Sequence, residues 1–68
     1  MTVNEIILNA VWINDKTNVI IKYQDTRGVV HTMADGDWFC DQVLYWGGYR
    51  VLEMVMNFDK GEAVFYIV

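Results

Sequence analysis

The sequence predicts an α+β domain: an antiparallel five-stranded sheet carrying one short helix, in the order β-β-β-α-β-β. Three observations lead there. Short segments rich in β-branched and aromatic residues recur along the chain, as strands are built. Clusters of Asn, Asp and Gly punctuate them, as turns require. One stretch alone has acidic residues before it and paired glycines after it, the marks of a helix.

Residues 3–13 contain EIILNAVWI. Both alternating sets are largely apolar, Ile7, Val11 and Ile13 against Ile6, Leu8, Ala10 and Trp12, which predicts a strand covered on both faces. A helix remains open for the first half. The cluster Asn14-Asp15-Lys16-Thr17-Asn18 then turns the chain. Residues 19–24 alternate, with Val19, Ile21 and Tyr23 opposed to Lys22 and Gln24, the pattern of a half-buried strand. Asp25-Thr26-Arg27-Gly28 reads as a hairpin turn in which glycine supplies a positive φ. Residues 29–33 return as a third strand.

The helix is expected over residues 37–46, with Asp35 or Asp37 as N-cap and Gly47-Gly48 as its stop. On a helical wheel, Phe39, Val43, Trp46 and Gly47 share one side with Cys40 at its margin, the side expected against the sheet. Trp38, Asp37, Asp41 and Tyr45 share the opposite side. Residues 49–59 and 62–68 flank Asp59-Lys60-Gly61 as a second hairpin. In its first strand Leu52, Met54, Met56 and Phe58 alternate with Val51, Glu53, Val55 and Asn57. In its second, Val64, Tyr66 and Val68 alternate with Ala63, Phe65 and Ile67.

Sixty-eight residues make a single domain, 1–68. A chain of this size buries only about 60% of its unfolded surface and commonly needs a staple or a partner. Cys40 is the one cysteine, so no disulfide forms within the chain. His31 and Cys40 are the only soft metal ligands, and no metal or other cofactor is expected. The apolar fraction is 54%, above the roughly 45–50% usual for soluble domains. One short helix covers only part of one sheet face, and an apolar face must be buried against something. A homodimer, sheet to sheet or edge to edge, is the expected solution.

The net charge is −4, and the five basic residues, Lys16, Lys22, Arg27, Arg50 and Lys60, are scattered. Phosphate backbones are bound by clustered Lys and Arg, so direct nucleic-acid binding is not expected. A protein partner with a basic surface is. The N-terminus lacks a basic leader, with Glu5 ahead of its apolar run. No apolar stretch reaches the 18 or so residues of a membrane span. A lone cysteine suits a reducing compartment, and the expected location is the cytoplasm, with no membrane association.

Several groupings have residue types that could carry chemistry. Asp35, Asp37 and Asp41 with His31 match no calcium-loop spacing, and helix capping accounts for the first two. Cys40 with His31 has the residue types of a nucleophile and base, but a single cysteine in a helix stripe is more often a small buried hydrophobe. The leading candidate site is the outer helix face, Trp38, Asp41 and Tyr45 with Asp37, because Trp and Tyr are enriched at binding hot spots. The competing reading is a rotated helix, or Trp38 folded over the sheet edge.

The stretch ADGDWFCDQVLYWGGYRVLEM between strands, in a short acidic chain, resembles small phage- or plasmid-encoded accessory proteins of the anti-CRISPR or host-defence-inhibitor type. The resemblance is generic in motif and spans the chain. It implies action without catalysis, by occupying a surface of a larger complex. The leading expectation is therefore a non-enzymatic protein-binding module. One alternative is an acidic nucleic-acid mimic using Asp25, Asp35, Asp37, Asp41, Glu53, Asp59 and Glu62. Another is a small-ligand or catalytic pocket at a dimer interface involving His31 and Asp35.

Overall fold

In the computed structural model, which describes all residues from Met1 to Val68, the first apolar segment is a helix rather than a strand. This helix, α1 (Val3–Asn9), is set by its first turn. The Thr2 hydroxyl accepts from the Glu5 N–H at 3.3 Å, and the Glu5 carboxylate accepts from the Thr2 N–H at 3.0 Å. That reciprocal box satisfies two otherwise orphaned donors. The bond from the Thr2 backbone also holds the Glu5 carboxyl below the usual carboxylate range. Val3 and Ile7, one turn apart, are buried, so a helical stripe replaces the expected two-sided strand.

Five further elements follow: β1 (Asn18–Gln24), β2 (Val30–Asp37), α2 (Asp41–Trp46), β3 (Val51–Asn57) and β4 (Glu62–Ile67). The strands form one four-stranded sheet in the order β2-β1-β4-β3. Strands β1 and β2 pair antiparallel, as do β3 and β4, but β1 and β4 run parallel in the centre. The expected five antiparallel strands and one helix are thus corrected to a four-stranded mixed sheet with two helices. The parallel pair joins the two hairpins. Its members carry apolar residues on both faces, as central strands do.

The second helix begins at Asp41, four residues later than expected. Asp35 and Asp37 do not cap it; both belong to β2, opposite Ile20 and Asn18 of β1. Cross-strand pairing takes these residues before the helix can. Cys40 is the N-cap and makes no side-chain capping bond. Gly47 ends the helix in the ordinary right-handed region, at φ −70, not in the left-handed stop expected of it. Its missing Cβ serves another purpose: a Cβ there would collide with the Asn4 side-chain amide of α1. The two turn glycines do behave as expected, Gly28 at φ +84 and Gly61 at φ +63.

Both edge strands carry an irregularity. In β2 the pairing steps from Ala34 to Thr32, leaving Met33 as the extra residue. In β3 it steps from Glu53 to Val51, leaving Leu52. The second step puts Val51 on the same face as Met54 and Met56, not with Glu53 and Val55 as simple alternation implies. Such bulges break the pairing ladder an edge would otherwise offer.

Both helices lie on one side of the sheet. A single core joins Val3 and Ile7 of α1, Ile13, and Val43 of α2 to Val19, Ile21, Ala34, Ala63, Phe65 and Ile67. Trp38, Phe39, Cys40 and Trp46 pack around it, half-buried. No helix is long and apolar enough to cross a membrane.

Candidate functional site

The four residues expected to form a single outer face are divided by the fold. Trp38 precedes α2, stacks on Phe39 at 4.5 Å between ring centroids, and packs against the core. Asp41 and Tyr45 lie one turn apart on α2, both exposed, Tyr45 at 75% and set edge-on to Trp46. Asp37 ends β2 and projects to the other side of the sheet, beside Asn18. Asp41 and Tyr45 therefore share a surface, and Trp38 and Asp37 lie elsewhere.

The groupings that could carry chemistry are separated too. His31 pairs with Tyr23 and faces the helices, whereas Asp35 pairs with Ile20 and faces away from them. Cys40 sits over Gly36, five residues and about 16 Å along β2 from His31. What His31 does meet is Asp25: its Nε2 lies 2.9 Å from Asp25 Oδ2. Asp25 also accepts from the N–H groups of Arg27 and Val29, at 2.9 and 3.0 Å. These bonds, led by that from His31, hold the Asp25 carboxyl below the ordinary aspartate range. The pair closes the β1–β2 turn.

Beside Tyr23 a cleft of about 390 Å³ opens, lined by Tyr23, Met33, Trp46, Tyr49, Ile67 and Val68. All six are apolar or aromatic, and no charged group points in. The β2 bulge helps to make it, because the extra residue Met33 turns toward the helix side. A second exposed apolar cluster lies at the opposite end, where Trp12 meets Phe58 edge-on at 6.4 Å.

A further surface is the sheet face away from the helices. Its register defines a grid across β2, β1, β4 and β3. The first row is Asp37, Asn18, Glu62 and Asn57. The second is Asp35, Ile20, Val64 and Val55. The third is Thr32, Lys22, Tyr66 and Glu53. The central strands present Ile20, Val64 and Tyr66 together with Asn18, Lys22 and Glu62, and the edge strands present Val55, Thr32, Asn57, Asp35, Asp37 and Glu53. Asp35 accepts a 2.8 Å bond from Asn18 Nδ2. The chain's one ion pair is His31–Asp25, so Asp35, Asp37, Glu53, Glu62 and Lys22 of this face all lack a counter-charge. Ile20, Val64 and Tyr66 are half-buried and Val55 is exposed, and none of them joins the core. The exposed area of the chain, 4558 Å², is close to the ~4,450 Å² of a compact monomer of this mass.

Sequence alternation had assigned Val64 and Tyr66 to one face and Glu53 with Val55 to one face. It could not show that these meet, because that depends on the β3–β4 register and on the parallel β1–β4 pairing. In comparisons with known proteins, no family model, curated protein or solved structure matches the chain.

Proposed function

We propose that this chain is a non-enzymatic protein-binding module that inhibits or modulates a larger assembly by occupying one of its surfaces, and that the open sheet face makes the contact. One observation carries this reading: an entire face of the sheet, apolar at its centre, has no helix, loop or terminus over it. An apolar sheet face left uncovered is what a partner surface looks like before the partner arrives.

The test uses a substitution confined to that face. Val64→Lys places a charge among Ile20, Val55 and Tyr66 without touching the core. Proteins retained by the tagged wild-type chain in its native host should be lost by the Val64→Lys variant, whose melting temperature should stay within about 8 °C of wild type. An identical set of retained proteins would reject the reading.

The cleft supports a second reading, a site for an uncharged apolar ligand. Clefts of this volume fall at the small end of ligand sites. Indole or naphthalene entering it should shift the Tyr23 and Met33 amide resonances and protect those amides from exchange. Ligand-induced shifts retained at Tyr23 after Met33→Lys would dismiss that reading.

A further inference from the structure

We propose that the open face receives a basic amphipathic helix of a protein partner, laid along β1 and β4. This rests on the reading that the face binds protein, and it names the kind of partner.

Width is the first argument. Four strands at about 4.8 Å spacing place the edge strands about 14 Å apart, just more than the 10–12 Å of a helix with its side chains. A helix over the central pair meets Ile20, Val64 and Tyr66 with its apolar stripe and touches Val55 at its side. Charge is the second argument. Asp35 and Asp37 stand on the β2 margin, Glu53 on the β3 margin and Glu62 at one end. None has a cationic partner within the chain. Lys or Arg on either flank of the seated helix would find a carboxylate beside it. Length is the third. Seven-residue strands run about 23 Å, the length of a helix of about 15 residues.

The other occupants fit worse. A second copy would set four carboxylates and one lysine against the same set. An added strand would have to pair along β2 or β3, and the bulges at Met33 and Leu52 interrupt both ladders. Lys22 is the one cation on the face, and it stands opposite Tyr66 in the register. It opposes a basic helix, so Lys22→Gln should tighten binding.

The experiment titrates the ¹⁵N-labelled chain with a synthetic Leu/Lys amphipathic helix of about 14 residues, and in parallel with a Leu/Glu helix of the same apolar stripe. Shifts should concentrate at Ile20, Val64, Tyr66 and Val55. The Leu/Glu helix should not bind. Raising salt from about 50 to 300 mM should weaken the Leu/Lys complex severalfold, and Lys22→Gln should strengthen it about threefold. The variant Asp35→Asn/Asp37→Asn/Glu53→Gln/Glu62→Gln should lose about tenfold, and Glu53→Gln alone about threefold if the quadruple variant does not fold. Shifts centred on Tyr23, Met33, Trp46 and Tyr49 would overturn the inference. So would equal binding of the Leu/Glu helix, or self-association abolished by Val64→Lys. If Val64→Lys loses native partners while the Leu/Lys helix fails to bind, the inference falls and the binding reading stands. If Val64→Lys keeps every partner, both fall.

Discussion

On the helix side of the sheet, Val19, Ile21, Ala63, Phe65 and Ile67 are almost wholly removed from water. One residue along on the same strands, Ile20, Val64 and Tyr66 are only half-buried on the other side. The side chains are of the same kind. Ile20 and Ile21 are chemically identical, and Val64 is as β-branched as Val19. What differs is coverage: α1, α2 and the loop carrying Ile13 all fall on one side. Hydrophobicity alone therefore does not mark the core in a domain this small. These half-buried apolar residues are the ones the proposed partner would cover, and the carboxylates around them would bias its charge.

The sharpest way to break this comparison is to truncate neighbours on opposite faces. Phe65 is fully buried and is the largest such side chain in the core. Phe65→Ala should cost about 3–5 kcal/mol, a large share of the about 3–10 kcal/mol expected for a chain of this length. Val64→Ala, one residue away, should cost about 1 kcal/mol or less, chiefly in strand propensity. Urea unfolding followed by tryptophan fluorescence measures both. Equal losses would mean that the open face is packed in solution, as a stable dimer would require.

The two faces were only partly legible in the sequence. Local signals did well: the alternation of β1, the turns at Gly28 and Gly61, and the inward side of α2 all follow from spacing over a few residues. The mixed topology did not, because the parallel pairing of β1 with β4 joins segments some forty residues apart, and no local pattern encodes it. The first helix was missed for a different reason. Its seven residues are apolar on both alternations, which fits a buried strand as well as a short helix. The deciding signal, Thr2 followed by Glu5 at capping-box spacing, was present and outweighed by β-propensity. The bulge at Leu52 reversed the assignment of Val51, since one extra residue moves everything before it to the other face. The candidate site shared the fate of the helix. Once α2 starts at Asp41, Trp38 no longer lies on the wheel that grouped it with Tyr45.

Smaller effects probe how the covered side is held. Gly47 lets α1 approach α2, and its N-terminal neighbour across the seam, Asn4, has a buried Oδ1 with no hydrogen-bond partner. Gly47→Ala should destabilise by about 1–2 kcal/mol, because the new methyl displaces that amide. Asn4→Ala removes the orphaned acceptor and should be close to neutral. In the Asn4→Ala background, Gly47→Ala should become stabilising by about 0.5 kcal/mol, since the φ of −70 suits alanine and the unfolded chain loses freedom. A double-mutant cycle in urea reads the coupling, and additive effects would reject close packing at this seam. Thr2→Ala should cost about 1 kcal/mol through loss of the capping box. Faster hydrogen exchange at Ile6, whose N–H bonds the Thr2 carbonyl, should report it while the strand amides stay protected.

The smallest effect lies where the helix side itself runs out of cover. Beyond Tyr23 no helix reaches, and a polar pair, Asp25 with His31, stands in place of apolar packing. The Asp25 carboxyl is held below the ordinary aspartate range, first by His31 and then by the Val29 and Arg27 N–H groups. A depressed folded value means the ionised form is favoured by folding. That contribution is fully present above the ordinary aspartate range and is lost as pH falls through the lowered folded value. Stability should therefore drop on the acid side, and His31→Ala should make the drop shallower by removing the largest cause. Because the group is exposed, the change should be small and should shrink further in high salt. Melting temperatures of wild type and His31→Ala between about pH 2 and 6, a span bracketing the aspartate range, test it. Parallel acid limbs would mean that the turn owes its closure to backbone bonds alone, and that the uncovered end of the helix side is held no differently from the open face.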